Sequence, residues 1–142
     1  MTDQKKILEA CARHYATFVS DCSGFVRAVA TDVGYNLEGN ADMITKYIDK
    51  NWIVIADGAA AEAAAASGAL VIAAQTGKDH VPPHRHGHVV VVIAGTPLYH
   101  GRYPMCWGGS IGKYPSKGNK SVGQVWGTKS RDSVIYRKAP GS

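Results

Sequence analysis

Apolar residues in the first half of the chain recur every three or four positions, the spacing of one face of a helix. The helices that this pattern predicts cover residues 3–19, 22–32, a segment following Asn40, and 57–68. Side-chain oxygens at a helix start accept backbone hydrogen bonds, so Ser20 or Asp21, Asn40 and Asp57 are predicted as N-caps. The apolar run 52–55 fits either a strand or an extended connection.

After Gly68 the pattern changes to short apolar runs separated by turn residues. Strands are predicted over residues 69–75, 88–94, 121–126 and 133–137, with a further short strand near 98–103. The segments 76–87 and 112–120 are rich in Gly, Pro and Lys and are interpreted as turns. Helices followed by strands predict an α+β fold, with N-terminal helices packed against one side of a C-terminal antiparallel sheet. Residues 1–142 contain no repeat or linker and are expected to form a single domain.

The composition is that of a globular protein. Of the 142 residues, 45% are hydrophobic and 19% are charged, a balance that allows a substantial core. Sixteen Lys and Arg residues outnumber eleven Asp and Glu residues, which gives a net charge of +5. A basic protein favours anionic partners such as nucleic acid, a membrane surface or an acidic cell-wall polymer. The basic residues are scattered along the chain, so nucleic-acid binding is not predicted.

The sequence shows neither a signal peptide nor a membrane-spanning segment. Residues 1–6 are polar and lead into an amphipathic segment, so we expect synthesis in the cytoplasm without a cleaved signal peptide. No apolar stretch reaches membrane-spanning length, so membrane insertion is not expected.

Three cysteines leave at least one thiol unpaired, which argues against a disulfide framework and for a free thiol. For Cys11 and Cys106 a buried, unreactive side chain is the preferred interpretation.

Cys22 stands at the predicted start of the second helix. The unpaired N–H groups and the dipole of a helix start stabilise an anion, so the pKa of this thiol is expected to be lowered. Ser23 and Gly24 are small and let a substrate approach the sulfur, and the backbone N–H of Cys22 is a candidate oxyanion donor. Asp21 is a candidate for holding an amine or amide of the substrate, or serves only as a helix cap. A buried structural cysteine is the alternative for Cys22.

His88 is the candidate base for this thiol. It follows Gly87 and opens the apolar run 89–93, which is predicted to be a core strand. An imidazole at the first position of such a strand can face a helix start within hydrogen-bond reach of a thiol. A helix-start cysteine followed much later by a strand-opening histidine is the order found in papain-like enzymes. A solvated histidine at a strand end is the alternative.

A catalytic Cys–His pair needs a third group that orients the imidazole. The candidates lie in the segment 103–110, where the main-chain carbonyl of Gly108 or the hydroxyl of Ser110 is available. His84 and His86 are expected to form a polar rim over the cleft, with His86 and Ser110 contacting substrate.

The loop before His88 also suggests a metal. His80, His84, His86 and His88 crowd this stretch, and together with Cys22 they raise the alternative of a zinc site. The chain lacks the paired cysteines or the HExxH helix that would complete such a site. No metal or other cofactor is therefore expected.

Several motifs resemble those of a known family. The segments 21–26 (DCSGFV) and 87–89 (GHV) resemble the NlpC-type branch of papain-like cysteine peptidases, which cut peptidoglycan stem peptides. Other motifs are similar to those of the type VI secretion amidase effectors, namely 39–41, 68–73, 97–99, 103–107 with 109–111, and 120–126. This similarity extends over about residues 20–137.

The resemblance implies a papain-like α+β fold and a peptidoglycan amidase with Cys22 as nucleophile and His88 as base. The amide would be one of the stem peptide, most commonly D-glutamyl–meso-diaminopimelate, or the cross-link to D-alanine. It also implies an antibacterial toxin that a type VI secretion apparatus delivers to a rival's periplasm and that a cognate immunity protein neutralises in the producer. This chain departs from the family in a longer loop at 76–87, and in Gly108, where a relative carries cysteine.

Two other function classes remain open from the residues alone. One is a zinc-dependent hydrolase that uses the loop 80–88, which a chelator would inactivate. The other is a non-catalytic basic module that binds cell wall or nucleic acid, whose binding would weaken steeply with salt.

Overall fold

The computed structural model of the chain describes residues 3–110 and 114–141. Within them the α-helices are α1 (Gln4–His14), α2 (Cys22–Asp32), α3 (Ala41–Asn51), α4 (Gly58–Ala66) and α5 (Val122–Val125). The strands are β1 (Ile53–Ile55), β2 (Val71–Gln75), β3 (His88–Val92), β4 (Met105–Gly108), β5 (Ser116–Ser121) and β6 (Ile135–Lys138). The predicted α+β class is confirmed, and the run at 52–55 is a strand.

The described strands form one antiparallel sheet in the order β1-β6-β2-β3-β4-β5. The last strand, β6, lies between β1 and β2, so the C-terminal strand pairs with two strands from the middle of the chain. β2 and β3 are adjacent near the centre, with Ile72 opposite Val91. Both faces of these two strands are buried, which explains why their sequences are apolar at successive positions instead of alternating.

Short polar side chains cap three of the helices, as predicted. The carboxylate of Asp21 accepts a hydrogen bond from the backbone N–H of Gly24 at 2.9 Å, and so fixes the start of α2. Asn40 caps α3 and Asp57 caps α4 in the same way, each at 2.9 Å. Of the two candidates for α2, Asp21 is therefore the cap. Such caps contribute about 1 kcal/mol each, and the cap at Asp21 fixes the position of Cys22.

Two hydrophobic clusters cover the two faces of the sheet. The first cluster joins α1, α2 and α3 to one face, through side chains such as Ile7, Phe25 and Ile44. The second cluster joins α4 and α5 to the opposite face. The prediction that the helices cover one side of the sheet is therefore wrong for α4. Its Ala-rich sequence has apolar residues all round, so the pattern alone could not say which face it would cover.

Several predicted elements differ in type or length. Of the predicted strand 121–126, Ser121 ends β5 and Val122–Val125 form α5, because the Gln124 side chain accepts the backbone N–H of Ser121 at 2.8 Å and starts a helical turn. The segment 98–103 holds only an isolated bridge between Tyr99 and Tyr103. β5 lies mostly in a segment interpreted as a turn, β4 lies where no strand was predicted, and α1 ends at His14 rather than near residue 19. Ile111 and residues 112–113 of the predicted turn lie outside the described residues.

No helix in the described part of the chain is both long enough and apolar enough to cross a membrane.

Candidate functional site

Cys22 and His88 line the same cleft. The cleft has a volume of about 670 Å³ and lies where the start of α2 meets the adjoining ends of β2 and β3. The start of α3, the loop 76–87, the segment 125–127, Ser110 and Tyr114 complete its lining. The fold thus brings together two residues that are 66 positions apart in the sequence.

Cys22 is the first residue of α2 and packs against the first cluster. The pKa of its thiol is raised, first because burial disfavours the thiolate. The backbone N–H groups of Val89, Ser23 and Cys22 itself lower this pKa, and the nearby carboxylate of Asp21 raises it. The expectation that the helix start would lower the pKa is therefore wrong in its net direction, because burial outweighs the N–H groups. The contact with Val89 places the sulfur beside the residue that follows His88.

His88 is the first residue of β3, and its side chain is half-buried. Burial lowers the pKa of the imidazole from 6.5 to about 4, and the neighbouring His80 lowers it further. The ring lies edge-on to Trp126, with 4.8 Å between the ring centroids. His88 is therefore a neutral imidazole at pH 7, able to accept a proton.

The two side chains reach the cleft from opposite faces of the sheet. Along β3, Val89 belongs to the first cluster and Val90 to the second, so alternation assigns His88 to the face of the second cluster. Its contact with Trp126, a member of that cluster, agrees. Because His88 is at the end of the strand, the cleft is open to both faces there.

The lowered pKa of His88 predicts a loss of stability in acid. The unfolded chain binds a proton at this imidazole near pH 6.5, whereas the folded protein binds it near pH 4. The resulting contribution to the free energy of unfolding is fully present above about pH 6.5 and is lost towards pH 4, and the total loss is about 3 kcal/mol at most. Urea unfolding of His88→Gln should therefore show a shallower dependence on pH than the wild type. An equal slope in His88→Gln and the wild type would contradict the assignment.

Cys11 and Cys106 are fully buried, in the first and second clusters respectively, as expected. Burial raises the pKa of Cys106 to about 12 and raises that of Cys11 as well. All three cysteines are free thiols, and Cys22 is the one that lines a cleft.

Iodoacetamide is accordingly expected to label one cysteine in the folded protein and all three after unfolding. The rate of labelling at Cys22 should increase with pH, because the raised pKa keeps the thiol protonated near pH 7. Intact-mass measurements with and without denaturant would count the adducts. Fast labelling of Cys11 or Cys106 in the folded protein would contradict the burial of those side chains.

The other predicted site residues fall into two groups. Asp21, Ser23, His86 and Ser110 line the cleft, although the Ser23 hydroxyl also donates to the Asp21 carboxylate at 3.1 Å. Gly24 does not line the cleft: it is buried, and an added Cβ would collide with the side chains of Asp21 and Phe18. Its small size serves the packing of the helix start.

Gly108 is likewise outside the lining of the cleft. It lies in β4 opposite Ser116 of β5, and a Cβ at this position would press on the side chain of Val90. The close packing against β3 explains a glycine here without reference to catalysis. The role predicted for its carbonyl stays a prediction that no contact in the described residues supports.

The loop 76–87 is fastened to the body of the protein at two points. The carboxylate of Asp42 accepts the backbone N–H of Gly77 at 2.9 Å. The hydroxyl of Ser130 accepts the backbone N–H of Val81 at 2.8 Å. His80 and His84 stack on one another, with 3.6 Å between their ring centroids. The histidines therefore lie on a braced rim of the cleft.

Among residues 3–110 and 114–141, no three His, Cys, Asp or Glu side chains are arranged so that they could hold a metal ion. The rings of His80 and His84 are stacked on one another, and this geometry does not support the alternative of a zinc site.

Several residues of the cleft lining were not predicted from the sequence, among them Arg85, and three of these carry a polar atom left unpaired within the described chain: Gln75, Thr76 and Trp126. Each carries a buried polar atom that has no hydrogen-bond partner among the described residues, namely Gln75 Oε1, Thr76 Oγ1 and Trp126 Nε1. One signal was available, since Gln75 is the single polar residue that ends the apolar run 69–74. Trp126 was assigned to a strand that does not form.

The chain is similar to a characterised enzyme. It is 45% identical over 119 residues to the peptidoglycan amidase Tse1 of Pseudomonas aeruginosa, and the match covers 82% of this chain and 73% of that protein. No family model matches the chain.

Proposed function

Because this chain belongs to the family of the peptidoglycan amidase Tse1, we propose that it is a cysteine-dependent peptidoglycan amidase with Cys22 as nucleophile and His88 as base. The observation that carries the proposal is the shared cleft, whose lining includes both the one accessible thiol and a neutral imidazole. Membership of this family is what the motifs resembling type VI secretion amidase effectors predicted.

Catalysis would start from two neutral groups. The pKa of Cys22 is raised and that of His88 is lowered, so we expect the proton to pass to His88 as the sulfur attacks the amide carbonyl. This transfer requires the sulfur and the imidazole to approach one another in the cleft, and the attraction between the two charges that then form would offset part of the cost of burying each one. The backbone N–H of Val89 beside the sulfur stabilises the anion as it develops.

The remaining steps follow from the same groups. Attack forms a C–S bond and an oxyanion, for which the backbone N–H of Cys22 is the candidate donor. Collapse of this intermediate breaks the C–N bond, and the leaving amine takes the proton from His88. Water then hydrolyses the thioester, with His88 again accepting a proton, and releases a carboxylate and the free thiol.

The substrate would be the peptidoglycan stem peptide, cleaved most commonly at the D-glutamyl–meso-diaminopimelate amide. Free carboxylates flank this bond, and the rim of the cleft is basic: Arg85 and His86 are exposed on it. Arg85 forms no ion pair with any described residue, so its guanidinium is available for a carboxylate. His86 and Ser110 are placed to assist, and Asp21 faces the cleft beside the nucleophile.

Replacing Arg85 by Ala is therefore expected to raise KM about threefold to tenfold while leaving kcat within about twofold, as for the loss of one exposed charge contact. Lys78 is the matched control, because it is exposed on the same loop but does not line the cleft. Steady-state kinetics of amide cleavage would measure both constants. Equal changes in the Arg85→Ala and Lys78→Ala variants would contradict a carboxylate contact at Arg85.

The biological setting proposed is that of an antibacterial effector. The protein would pass through a type VI secretion apparatus, cut the cell wall in the periplasm of the target cell, and be neutralised in the producer by a cognate immunity protein. Family membership supports this setting. Expression directed to the periplasm should lyse Gram-negative cells, whereas cytoplasmic expression should be tolerated.

Inhibitors separate the proposed function from the alternatives. Iodoacetamide should abolish amide cleavage and a chelator should not, because the proposed chemistry depends on a thiol and not on a metal. The reverse result would favour a zinc hydrolase. A protein that cleaves nothing but sediments with peptidoglycan in a salt-dependent manner would be the binding module.

A further inference from the structure

One side chain in the cleft is buried with only half of its hydrogen-bonding capacity used. Gln75 is 3% exposed, and its Nε2 donates to the backbone carbonyl of Ser130 at 2.9 Å. Its Oε1 is buried and has no hydrogen-bond partner among the described residues. A buried oxygen without a hydrogen-bond partner is destabilising, so this oxygen calls for an explanation.

The strand register places that oxygen near the proposed base. Gln75, the last residue of β2, lies directly opposite His88, the first residue of β3. Directly opposed residues of an antiparallel pair project from the same face of the sheet, with Cβ atoms about 4.5–5.5 Å apart. The neighbouring residues agree, because Ala73 and Val90 both belong to the second cluster.

The orientation of the amide is also fixed. Ser130 is fully buried. Its backbone carbonyl can only accept hydrogen bonds, so the NH₂ group of Gln75, and not Oε1, must be the group that faces this carbonyl. The same residue holds the loop 76–87 through its hydroxyl, which anchors it further. Oε1 is therefore the buried atom left unpaired, among the described residues, on the strand position opposite His88, and it can act only as an acceptor.

We propose that Gln75 is the positioning residue for His88: its Oε1, which has no partner in the described part of the structure, would accept a hydrogen bond from one imidazole N–H once the ring turns towards it. This inference rests on the proposed function. The bond would select one tautomer of the neutral ring, so that the other ring nitrogen is unprotonated and free to take the proton of Cys22. Once His88 is protonated, the carbonyl dipole of Gln75 also stabilises the imidazolium. Gln75 thus supplies the third element that the sequence analysis sought at Gly108 or Ser110.

Two substitutions separate this role from a purely structural one. Gln75→Met and Gln75→Glu are both close to Gln in size, and both lose the donor that bonds Ser130. Only Glu keeps an oxygen acceptor opposite His88. Gln75→Met is expected to lower kcat about tenfold to a hundredfold with little change in KM. The loss should be smaller than the full contribution of a general base, because His88 itself is retained. Gln75→Glu should stay within about fivefold of the wild type.

Equal losses in the two variants would overturn the proposal, because the bond to Ser130 would then be the feature that matters. Wild-type activity in Gln75→Met would overturn it as well. The tautomer of His88 gives an independent readout, since NMR of ¹⁵N-histidine-labelled wild-type protein should show one neutral tautomer. A mixture of tautomers in the wild type would overturn the proposal even if the variants do not fold.

Failure of this inference is distinguishable from failure of the proposed function. If Cys22→Ala is inactive while Gln75→Met matches the wild type, the cysteine mechanism stands and only the role of Gln75 is lost. If Cys22→Ala retains full activity, the proposed function itself fails.

Discussion

Replacement of Cys22 by Ser is expected to lower kcat/KM for peptidoglycan amide cleavage by about 10⁴-fold or more, the scale seen when a nucleophile is removed. A serine hydroxyl ionises far less readily than a thiol, and the lowered pKa of His88 makes its imidazole too weak a base to activate it. The fold should persist because Asp21, not Cys22, caps α2. The free energy of unfolding is expected to change by less than about 1 kcal/mol.

Cys11→Ala is the matched control for this substitution. It removes another thiol of the same chain, one that is fully buried in the first cluster and does not line the cleft. Activity should stay within about twofold of the wild type, while stability falls by about 1 kcal/mol or more through the lost packing. Substantial cleavage by Cys22→Ser, with the control behaving as described, would contradict the assignment of the nucleophile.

Replacement of His88 by Gln is expected to lower kcat by about 10²- to 10⁴-fold, the usual contribution of a general base. Without the imidazole, the raised pKa of Cys22 leaves the sulfur protonated near neutral pH. The activity that remains should therefore increase as the pH rises towards the pKa of the thiol. Rates measured between about pH 6 and pH 10 would test both parts of this expectation.

His100→Asn serves as the control for His88. His100 is exposed and outside the cleft, and its φ of 53° is one that asparagine adopts readily. Its activity profile should follow that of the wild type. A His88→Gln variant with wild-type kcat and an unchanged dependence on pH would show that another group acts as the base.

The sequence predicted the elements that carry Cys22 and His88 because both depend on local patterns. Asp21 and the apolar spacing after it define the start of α2, and an unbroken run of valines defines β3. These signals need no knowledge of the rest of the fold. The caps at Asn40 and Asp57 were predictable for the same reason.

Features that depend on pairing between distant strands were not predictable. Gln75 faces His88 only through the register of β2 against β3, and nothing local to either residue reveals it. β5 is polar along most of its length because it is an edge strand, so its composition indicates a turn. Composition also favoured a strand at 121–126, where the hydrogen bond between Ser121 and Gln124 starts a helix instead.

The direction in which the pKa of Cys22 is shifted could not be predicted from the sequence either. The position at a helix start is visible in the sequence and lowers the pKa, but the depth of burial is not visible and raises it by more. The free protein is therefore expected to hold a neutral thiol and a neutral imidazole rather than a preformed ion pair. This difference decides how the rate of thiol alkylation depends on pH.

The most direct test of the Cys22–His88 assignment is digestion of purified Gram-negative peptidoglycan by wild type and Cys22→Ala in parallel, with fragments identified by mass spectrometry. The wild type is expected to release fragments whose masses correspond to hydrolysis of one stem-peptide amide, and Cys22→Ala is expected to release none. Equal cleavage by both proteins would contradict the cysteine mechanism. No cleavage by either, with both folded, would contradict the proposal that this chain is an amidase.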